Sequence, residues 1–174
     1  MQGRGKAPSE TRLTMAYRVM PQDTNPAGNL HGGVILRYID LCAGTVAMRH
    51  SRTNVVTASL DRMDFIKPVF VGELVILHAN MNMSGRTSME VGVRVEAENL
   101  YTGDVRWTNS AYLTFVALDE KGRPAQVPPL ILQTAEDERR NREAKQRRET
   151  RMQQKKTEQE SQRSMTRSGL NIRG

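Results

Sequence analysis

The most unusual ionisable side chain in the sequence is Asp40, which lies between Ile39 and Leu41 in an otherwise apolar segment. A carboxylate in apolar surroundings is costly unless it has a partner or a chemical task. Asp40 could pair with Arg37 or with a neighbouring subunit, or it could act as a general base or nucleophile. We predict that Asp40 is a catalytic carboxylate.

Two adjacent glycines, Gly32 and Gly33, precede this segment. Asp40 follows them by about two helical turns, so in a helix all three would lie on nearly the same face. A glycine inside a helix costs about 1 kcal/mol relative to alanine. At a helix start, however, it lets a ligand approach free backbone N–H groups, which suit a developing oxyanion. Tight packing against a sheet would explain the glycines equally well.

Asn25 lies in a segment rich in Asn, Asp, Pro and Gly, residues 22–29, which favours bends. Pro26 biases Asn25 towards an extended backbone, so that the loop presents its side chain. Taken alone, such an asparagine is more often a turn residue. Together, a carboxylate, a carboxamide and a helix N-terminus would form a site suited to acyl transfer.

Other common catalytic arrangements are missing from the sequence. It contains no G-x-S-x-G or H-E-x-x-H motif, and its histidines, His31, His50 and His78, are scattered. We therefore predict no metal site. The single cysteine, Cys42, excludes an intrachain disulfide and has no convincing His/Asp arrangement around it. A reducing compartment is the simplest interpretation.

The elements that must position these residues follow from hydrophobic periodicity. Residues 33–48 are apolar nearly all round, which predicts a buried helix that Asn29 could cap. Alternating patterns predict strands at residues 12–20, 55–67, 75–83, 89–97 and 111–117. Short turns at residues 84–86 and 102–104 predict antiparallel pairing. One antiparallel sheet wrapped around one long buried helix, an α+β fold, is the economical arrangement.

Both ends of the 174-residue chain differ in composition from its middle. We predict disorder for residues 1–11, a folded domain at residues 12–132, and a charged tail at residues 133–174. The tail has 12 Lys and Arg against 7 Asp and Glu, so it carries most of the net charge of +7. Opposite charges recur at helical spacing, but the tail lacks an apolar stripe. A solvated, fraying helix followed by disorder is the prediction.

The tail's basic charge raises the alternative of weak, salt-sensitive binding to RNA or to another acidic surface. It has no aromatic residues for base stacking, so no nucleic-acid partner is expected. No stretch of the sequence approaches the roughly 18 apolar residues of a membrane span, and no signal-peptide pattern is present. A cytoplasmic protein is the resulting expectation.

Several motifs resemble one enzyme family. Residues 18–44, RVMPQDTNPAGNLHGGVILRYIDLCAG, are similar to the entry segment of hotdog-fold acyl-CoA thioesterases, in the acyl-CoA hydrolase branch. DFIKPVFVGE at residues 64–73, SGRTSMEV at residues 84–91 and TFVALDEKGRPAQVPPL at residues 114–130 agree with it. The similarity spans about residues 12–132. The HGG element alone is only moderately specific, whereas the combination is highly specific.

The resemblance implies hydrolysis of acyl-CoA to a carboxylic acid and CoA, with no cofactor. Asp40 would match the family's carboxylate, as general base or as nucleophile, and Asn25 its asparagine. In this branch the two come from opposite subunits of a hotdog dimer. The N–H groups around Gly32 and Gly33 would hold the oxyanion. The resemblance further implies a homo-oligomer, a dimer with shared sites that assembles into a trimer of dimers.

Coenzyme A binding would fall on Arg86, Thr87 and Ser88 in the GRTS turn, and more weakly on Lys67 before Pro68. A hairpin with a solvated arginine would look the same in the sequence. Two other functions stay open. One is a non-catalytic hotdog protein that binds acyl-CoA, which the presence of both Asn25 and Asp40 argues against. The other is a dehydratase, for which the histidine is misplaced.

Overall fold

A computed structural model describes residues 4–61, 63 and 65–167. The elements are β1 (Leu13–Arg18), α1 (Gly32–Ser51), β2 (Asn54–Leu60), β3 (Leu74–Ser84), β4 (Ser88–Glu98), β5 (Val105–Leu118) and α2 (Ala135–Arg167). Short 3₁₀ turns occupy Pro8–Glu10 and Pro21–Asp23. Among the described residues, neither long helix is apolar enough to cross a bilayer. The predictions made for residues 1–3 and 168–174 lie outside this range.

The five strands form one antiparallel sheet in the order β1-β3-β4-β5-β2. The alternating apolar residues of the central strands point to the inner face and are buried, as the period-two pattern predicted. The strand predicted at residues 55–67 is shorter than expected and ends at Leu60. Beyond it the chain leaves the sheet, after one last hydrogen bond from the Asp61 N–H to the Tyr112 carbonyl.

Helix α1 crosses the inner face of the sheet, but only one side of it is buried. Its buried stripe includes Ile35, Ile39, Val46 and Ala47, which pack into the same core as the strands. The opposite side is exposed: Leu41 retains 51% and Met48 retains 48% of its accessible surface. The prediction of a helix buried on all sides is therefore wrong for one chain, because apolar residues also cover the face that the sheet does not contact.

The N-terminal segment is ordered where disorder was predicted. Residues 4–11 pack against the end of α1, with Ala7, Pro8 and Thr11 buried. Lys6 Nζ donates hydrogen bonds to the carbonyls of Arg49 (2.9 Å) and His50 (2.7 Å). These carbonyls belong to the last turn of α1, where a positive charge also interacts favourably with the helix dipole. A prediction from composition averages over many residues. It therefore cannot detect that a single lysine attaches this segment to α1.

We expect Lys6→Met to lower the free energy of unfolding by about 1–2 kcal/mol, because two charge-assisted hydrogen bonds and the dipole interaction are lost. Urea denaturation measures the change. Arg4→Met, which removes a nearby exposed charge, is the control and should stay within about 0.5 kcal/mol of the wild type. Equal effects of the two substitutions would show that Lys6 does not hold α1.

The charged tail forms α2, which is helical as predicted, but one side of its first half packs against the sheet, while most of its side chains are exposed. Ala144 is fully buried against the outer face of the sheet, and Asn141 Nδ2 donates to the Asn82 carbonyl at 2.8 Å. Arg147 forms an ion pair at 2.7 Å with Glu90, whose side chain is fully buried. The described side chains beyond Arg151 are exposed. Charged and polar contacts, rather than an apolar stripe, attach this helix.

Candidate active site

Asp40 lies on the exposed side of α1 and is held by a residue of β2. Thr57 Oγ1 donates a hydrogen bond to Asp40 Oδ1 at 2.6 Å. The pairing of β2 with β5 shifts register between Thr57 and Ser59, and such a bulge redirects side chains. Asp40 forms no ion pair with Arg37 in the part of the chain that the structure describes. One carboxylate oxygen is thus oriented by Thr57, and the Asp40 side chain as a whole is exposed in this chain.

Asn25 shapes the loop that leads into α1. Its Oδ1 accepts hydrogen bonds from the Ala27 N–H (3.0 Å) and the Asn29 N–H (3.2 Å), which closes a tight turn. The Asn25 N–H also donates to the Asn29 carbonyl at 2.8 Å. The side chain is half-buried, and no hydrogen bond within the described chain joins it to Asp40. The side-chain NH₂ group is therefore available to a ligand or to a second subunit.

The N-terminus of α1 is capped by His31, not by Asn29. His31 Nδ1 accepts a hydrogen bond from the Gly33 N–H at 3.0 Å. The Gly33 N–H is thus engaged, and the Gly32 N–H is the better candidate for an oxyanion, since no described residue accepts its hydrogen bond. A Cβ placed on Gly32 would lie 3.3 Å from Cζ of Phe65. Glycine here leaves room for the phenyl ring beside the helix start.

A cavity of about 290 Å³ adjoins the start of α1. Its walls are Asn29, Leu30, Ile35, Phe65, Ile66, Lys67, Pro68, Val69 and Asn109. The structure therefore places Lys67 at the mouth of a mainly apolar cavity that also contacts the Asn25 loop through Asn29. An apolar cavity with a few polar groups at its edge is the usual form of a small-molecule site.

The wall formed by residues 65–70 is anchored by an ion pair. Arg106 contacts both carboxylate oxygens of Glu73, at 2.7 and 2.6 Å, and also donates to the Pro68 carbonyl at 2.8 Å. The Phe70 N–H donates to the same carboxylate at 2.8 Å. Burial alone would raise the pKa of Glu73, but the Arg106 and Phe70 hydrogen bonds outweigh it and hold that pKa below its usual value. These hydrogen bonds hold the backbone of the cavity wall in place.

The GRTS turn joins β3 to β4 and is not among the residues that line this cavity. Arg86 is exposed, while Thr87 and Ser88 are half-buried. Backbone hydrogen bonds from Val127 N–H to the Arg86 carbonyl (2.9 Å) and from Ala117 N–H to the Thr87 carbonyl (3.0 Å) fix the turn. Within one chain, the structure brings neither Asp40 nor Asn25 into contact with this turn.

Cys42 and His50 are both buried in the core. Cys42 is completely buried, and burial raises the pKa of its thiol to about 11, so it is not a thiolate near neutral pH. His50 is also buried: its Nε2–H donates to the Pro128 carbonyl at 2.9 Å, and burial lowers its pKa. His78 lies on the outer face, where it interacts with Glu96.

Comparison with known proteins identifies the family. A thioesterase superfamily model matches residues 27–103. A Bacillus subtilis protein named an acyl-CoA thioester hydrolase is 41% identical over 128 residues, which are 74% of each chain. The chain belongs to the thioesterase superfamily.

Solved structures of the thioesterase superfamily share the fold. A hexameric acyl-CoA thioesterase, studied without ligand, is 40% identical with a TM-score of 0.84, covering 87% of this chain and 97% of that one. An acyl-CoA hydrolase from Staphylococcus aureus, in complex with butyryl coenzyme A and coenzyme A, is 32% identical with a TM-score of 0.84. The match covers 92% of this chain and 98% of that one. The predicted hotdog fold is confirmed.

Thr57 is a candidate site residue that the sequence did not indicate. It lies in an irregular edge strand, and nothing in the surrounding residues distinguishes it from an ordinary strand threonine. Only the packing of β2 beside α1 brings its hydroxyl to Asp40. No signal in the sequence identifies it, because the register shift beside Thr57 is seen only in the strand pairing.

Proposed function

We propose that the protein hydrolyses the thioester of acyl-CoA to a carboxylic acid and free CoA. The observation that carries the proposal is Asp40, a carboxylate held by Thr57 on a helix face that one chain leaves exposed. A polar reactive group surrounded by uncovered apolar side chains is typical of a site completed by a substrate or a second subunit. The relatives named as acyl-CoA thioester hydrolases support the same reaction.

Variants of the Staphylococcus aureus enzyme support the choice of residues. An aspartate, an asparagine and a threonine of that enzyme have each been replaced by alanine for structural and biochemical characterization. These three residues have the same types and the same sequence intervals as Asp40, Asn25 and Thr57 have in this chain. We infer that the three side chains form the corresponding group here.

In the proposed mechanism, Asp40 removes a proton from water as the water oxygen attacks the thioester carbonyl carbon. The tetrahedral oxyanion accepts a hydrogen bond from the Gly32 N–H, at the positive end of α1. When the C–S bond breaks, the CoA thiolate leaves and takes up the proton that Asp40 accepted, which restores the carboxylate. Direct attack by Asp40 through an anhydride, which water then hydrolyses, is the alternative route. Thr57 orients the carboxylate, and no cofactor is needed.

The proposed site is shared between two subunits, with Asn25 of one chain facing Asp40 of the other. Within one chain the two side chains engage different partners, and the side of α1 that carries Asp40 also exposes Leu41 and Met48. The edge strand β2 leaves Val56 and Leu60 exposed as well. A second copy would cover this apolar surface. We propose a dimer that assembles into a hexamer; one relative of known structure is hexameric. We also propose a cytoplasmic location, since related mammalian enzymes are named cytosolic acyl coenzyme A thioester hydrolases.

Coenzyme A is proposed to bind through Arg86, Thr87 and Ser88, with Lys67 as a second cationic contact. Arg86 is exposed on a turn whose backbone is fixed from both sides, so its guanidinium is free to pair with phosphate. Lys67 stands at the edge of the apolar cavity beside the helix start. In this arrangement the cavity takes the acyl end or the pantetheine, and the turn takes the nucleotide.

Release of free CoA from acetyl-, butyryl-, hexanoyl- and palmitoyl-CoA, followed with a thiol reagent, tests the reaction. We expect turnover of at least one of these esters by the wild type. Binding of the esters without thiol release would contradict the enzyme and favour a non-catalytic acyl-CoA-binding protein. Because Cys42 is buried and its thiol pKa is about 11, the protein itself should contribute little background to the assay.

A further inference from the structure

Helix α2 presents two arginines to the outer face of the sheet, and both are neutralised there. Arg147 pairs with Glu90 at 2.7 Å, and its guanidinium lies 3.7 Å above the Tyr112 ring. One turn later, Arg151 contacts both oxygens of Asp61, at 2.8 and 2.7 Å. These two contacts fix the rotation of α2 about its axis and its position along the sheet.

Between them lies Arg148, which has no such partner. Its Nη1 is 3.3 Å from the position that a Cβ on Gly85 would occupy, and Ser88 Oγ is 3.4 Å from the same position. The Arg148 guanidinium therefore lies over the backbone of the β3–β4 turn, on the side where glycine leaves space. No carboxylate in the described part of the chain forms an ion pair with it. Arg148 is exposed, so its charge lies beside the turn where a ligand from solvent could reach it.

The turn beneath Arg148 already carries cationic and donor groups. Arg86 follows Gly85 directly and is exposed, and the hydroxyls of Thr87 and Ser88 come next in the chain. With Arg148 above Gly85 and Arg86 next to it in the chain, two arginines without a carboxylate partner in the described residues belong to this one turn. A phosphate group matches this arrangement, because guanidinium and hydroxyl donors together saturate its oxygens.

We propose that Arg148 of the charged tail helix binds a phosphate of the substrate's nucleotide, together with Arg86 and Ser88. The inference rests on the proposed acyl-CoA substrate and assigns α2 a role in recognising it. The tail is thus part of the substrate site: Arg147 and Arg151 hold the helix on the sheet, and Arg148 adds a second guanidinium group to that of Arg86 at the GRTS turn. It is a binding residue and takes no part in bond cleavage.

Steady-state hydrolysis of butyryl-CoA and of butyryl-pantetheine, which lacks the nucleotide and its phosphates, tests the proposal. We expect Arg148→Ala to raise the KM for butyryl-CoA about tenfold with kcat unchanged, as for the loss of one charge-assisted contact. The KM for butyryl-pantetheine should not change. Arg142→Ala, which removes an exposed charge elsewhere on α2, is the matched control and should leave both substrates unaffected.

Equal effects of Arg148→Ala and Arg142→Ala on butyryl-CoA would overturn the proposal, as would an equal loss with butyryl-pantetheine. Butyryl-dephospho-CoA separates the two phosphate sources. An Arg148 effect that disappears with it assigns the contact to the 3′-phosphate, and one that persists assigns it to the diphosphate. Failure of the proposed reaction is distinguishable, because calorimetric binding of CoA measures the Arg148 contribution even in a protein that releases no thiol.

Discussion

Replacing Asp40 by asparagine is expected to lower the kcat of acyl-CoA hydrolysis at least about 100-fold, the scale of losing a general base. The substitution keeps the shape of the side chain and its capacity to accept the Thr57 hydrogen bond, so the site geometry should survive. It removes the group that accepts the proton from water or attacks the thioester. The rate of CoA release at saturating substrate measures the effect, and circular dichroism checks the fold.

Thr57→Val provides the graded control for this result. It removes the hydroxyl that orients Asp40 but leaves the carboxylate, so we expect a smaller loss of kcat than for Asp40→Asn. A wild-type rate in Asp40→Asn would leave the fold and the reaction in place and show that another group does the chemistry.

Mixing two inactive variants tests whether the site is shared. Subunits with Asp40→Asn and subunits with Asn25→Ala would combine into a dimer in which one site contains both wild-type side chains and the other contains neither. We expect CoA release to reappear when the two proteins are unfolded together and refolded. If the mixture stays inactive although mixed oligomers form, the two residues act within one chain.

The sequence predicts the strands and the helix well because each buries one face with a regular period. The alternation of Val91, Val93 and Val95 needs no partner to be recognised. The environment of Asp40 is different. An apolar helix face predicts burial without saying whether the chain's own sheet or a second copy covers it, and here Leu41 beside Asp40 is left exposed.

The contacts that attach the two ends of the chain to the domain also could not be predicted from the sequence. Lys6 holds α1 and Arg147 holds α2, each through one cation and a distant partner. A search for apolar stripes does not detect such contacts. In the sequence, a charged residue that pairs with a buried partner cannot be distinguished from a charged residue that faces solvent. The pairing of Arg147 with Glu90 depends on strand register, since Glu90 lies on the outward side of β4 under the helix.

Replacing Arg147 by methionine is expected to lower the free energy of unfolding by about 3 kcal/mol, because it leaves the fully buried Glu90 carboxylate without its counter-charge. Asn82 Nδ2 would remain as a hydrogen-bond donor to Glu90, at 3.2 Å, but a neutral amide does not offset the desolvated charge. The stacking of the guanidinium on Tyr112 would also be lost. Urea denaturation at pH 7 measures the change.

The double substitution Glu90→Met with Arg147→Met distinguishes two causes of the instability: an unpaired buried carboxylate, and the loss of the contact that holds α2 on the sheet. If the cost of Arg147→Met comes from the unpaired carboxylate, removing that carboxylate should restore most of the stability, since apolar replacements of a buried ion pair are often nearly neutral. Arg142→Ala should change stability by less than about 0.5 kcal/mol. If the double variant is as unstable as the single one, the ion pair itself holds α2 on the sheet. In that case limited proteolysis should cleave α2 in both variants, and Arg148 should lose its position over the GRTS turn with it.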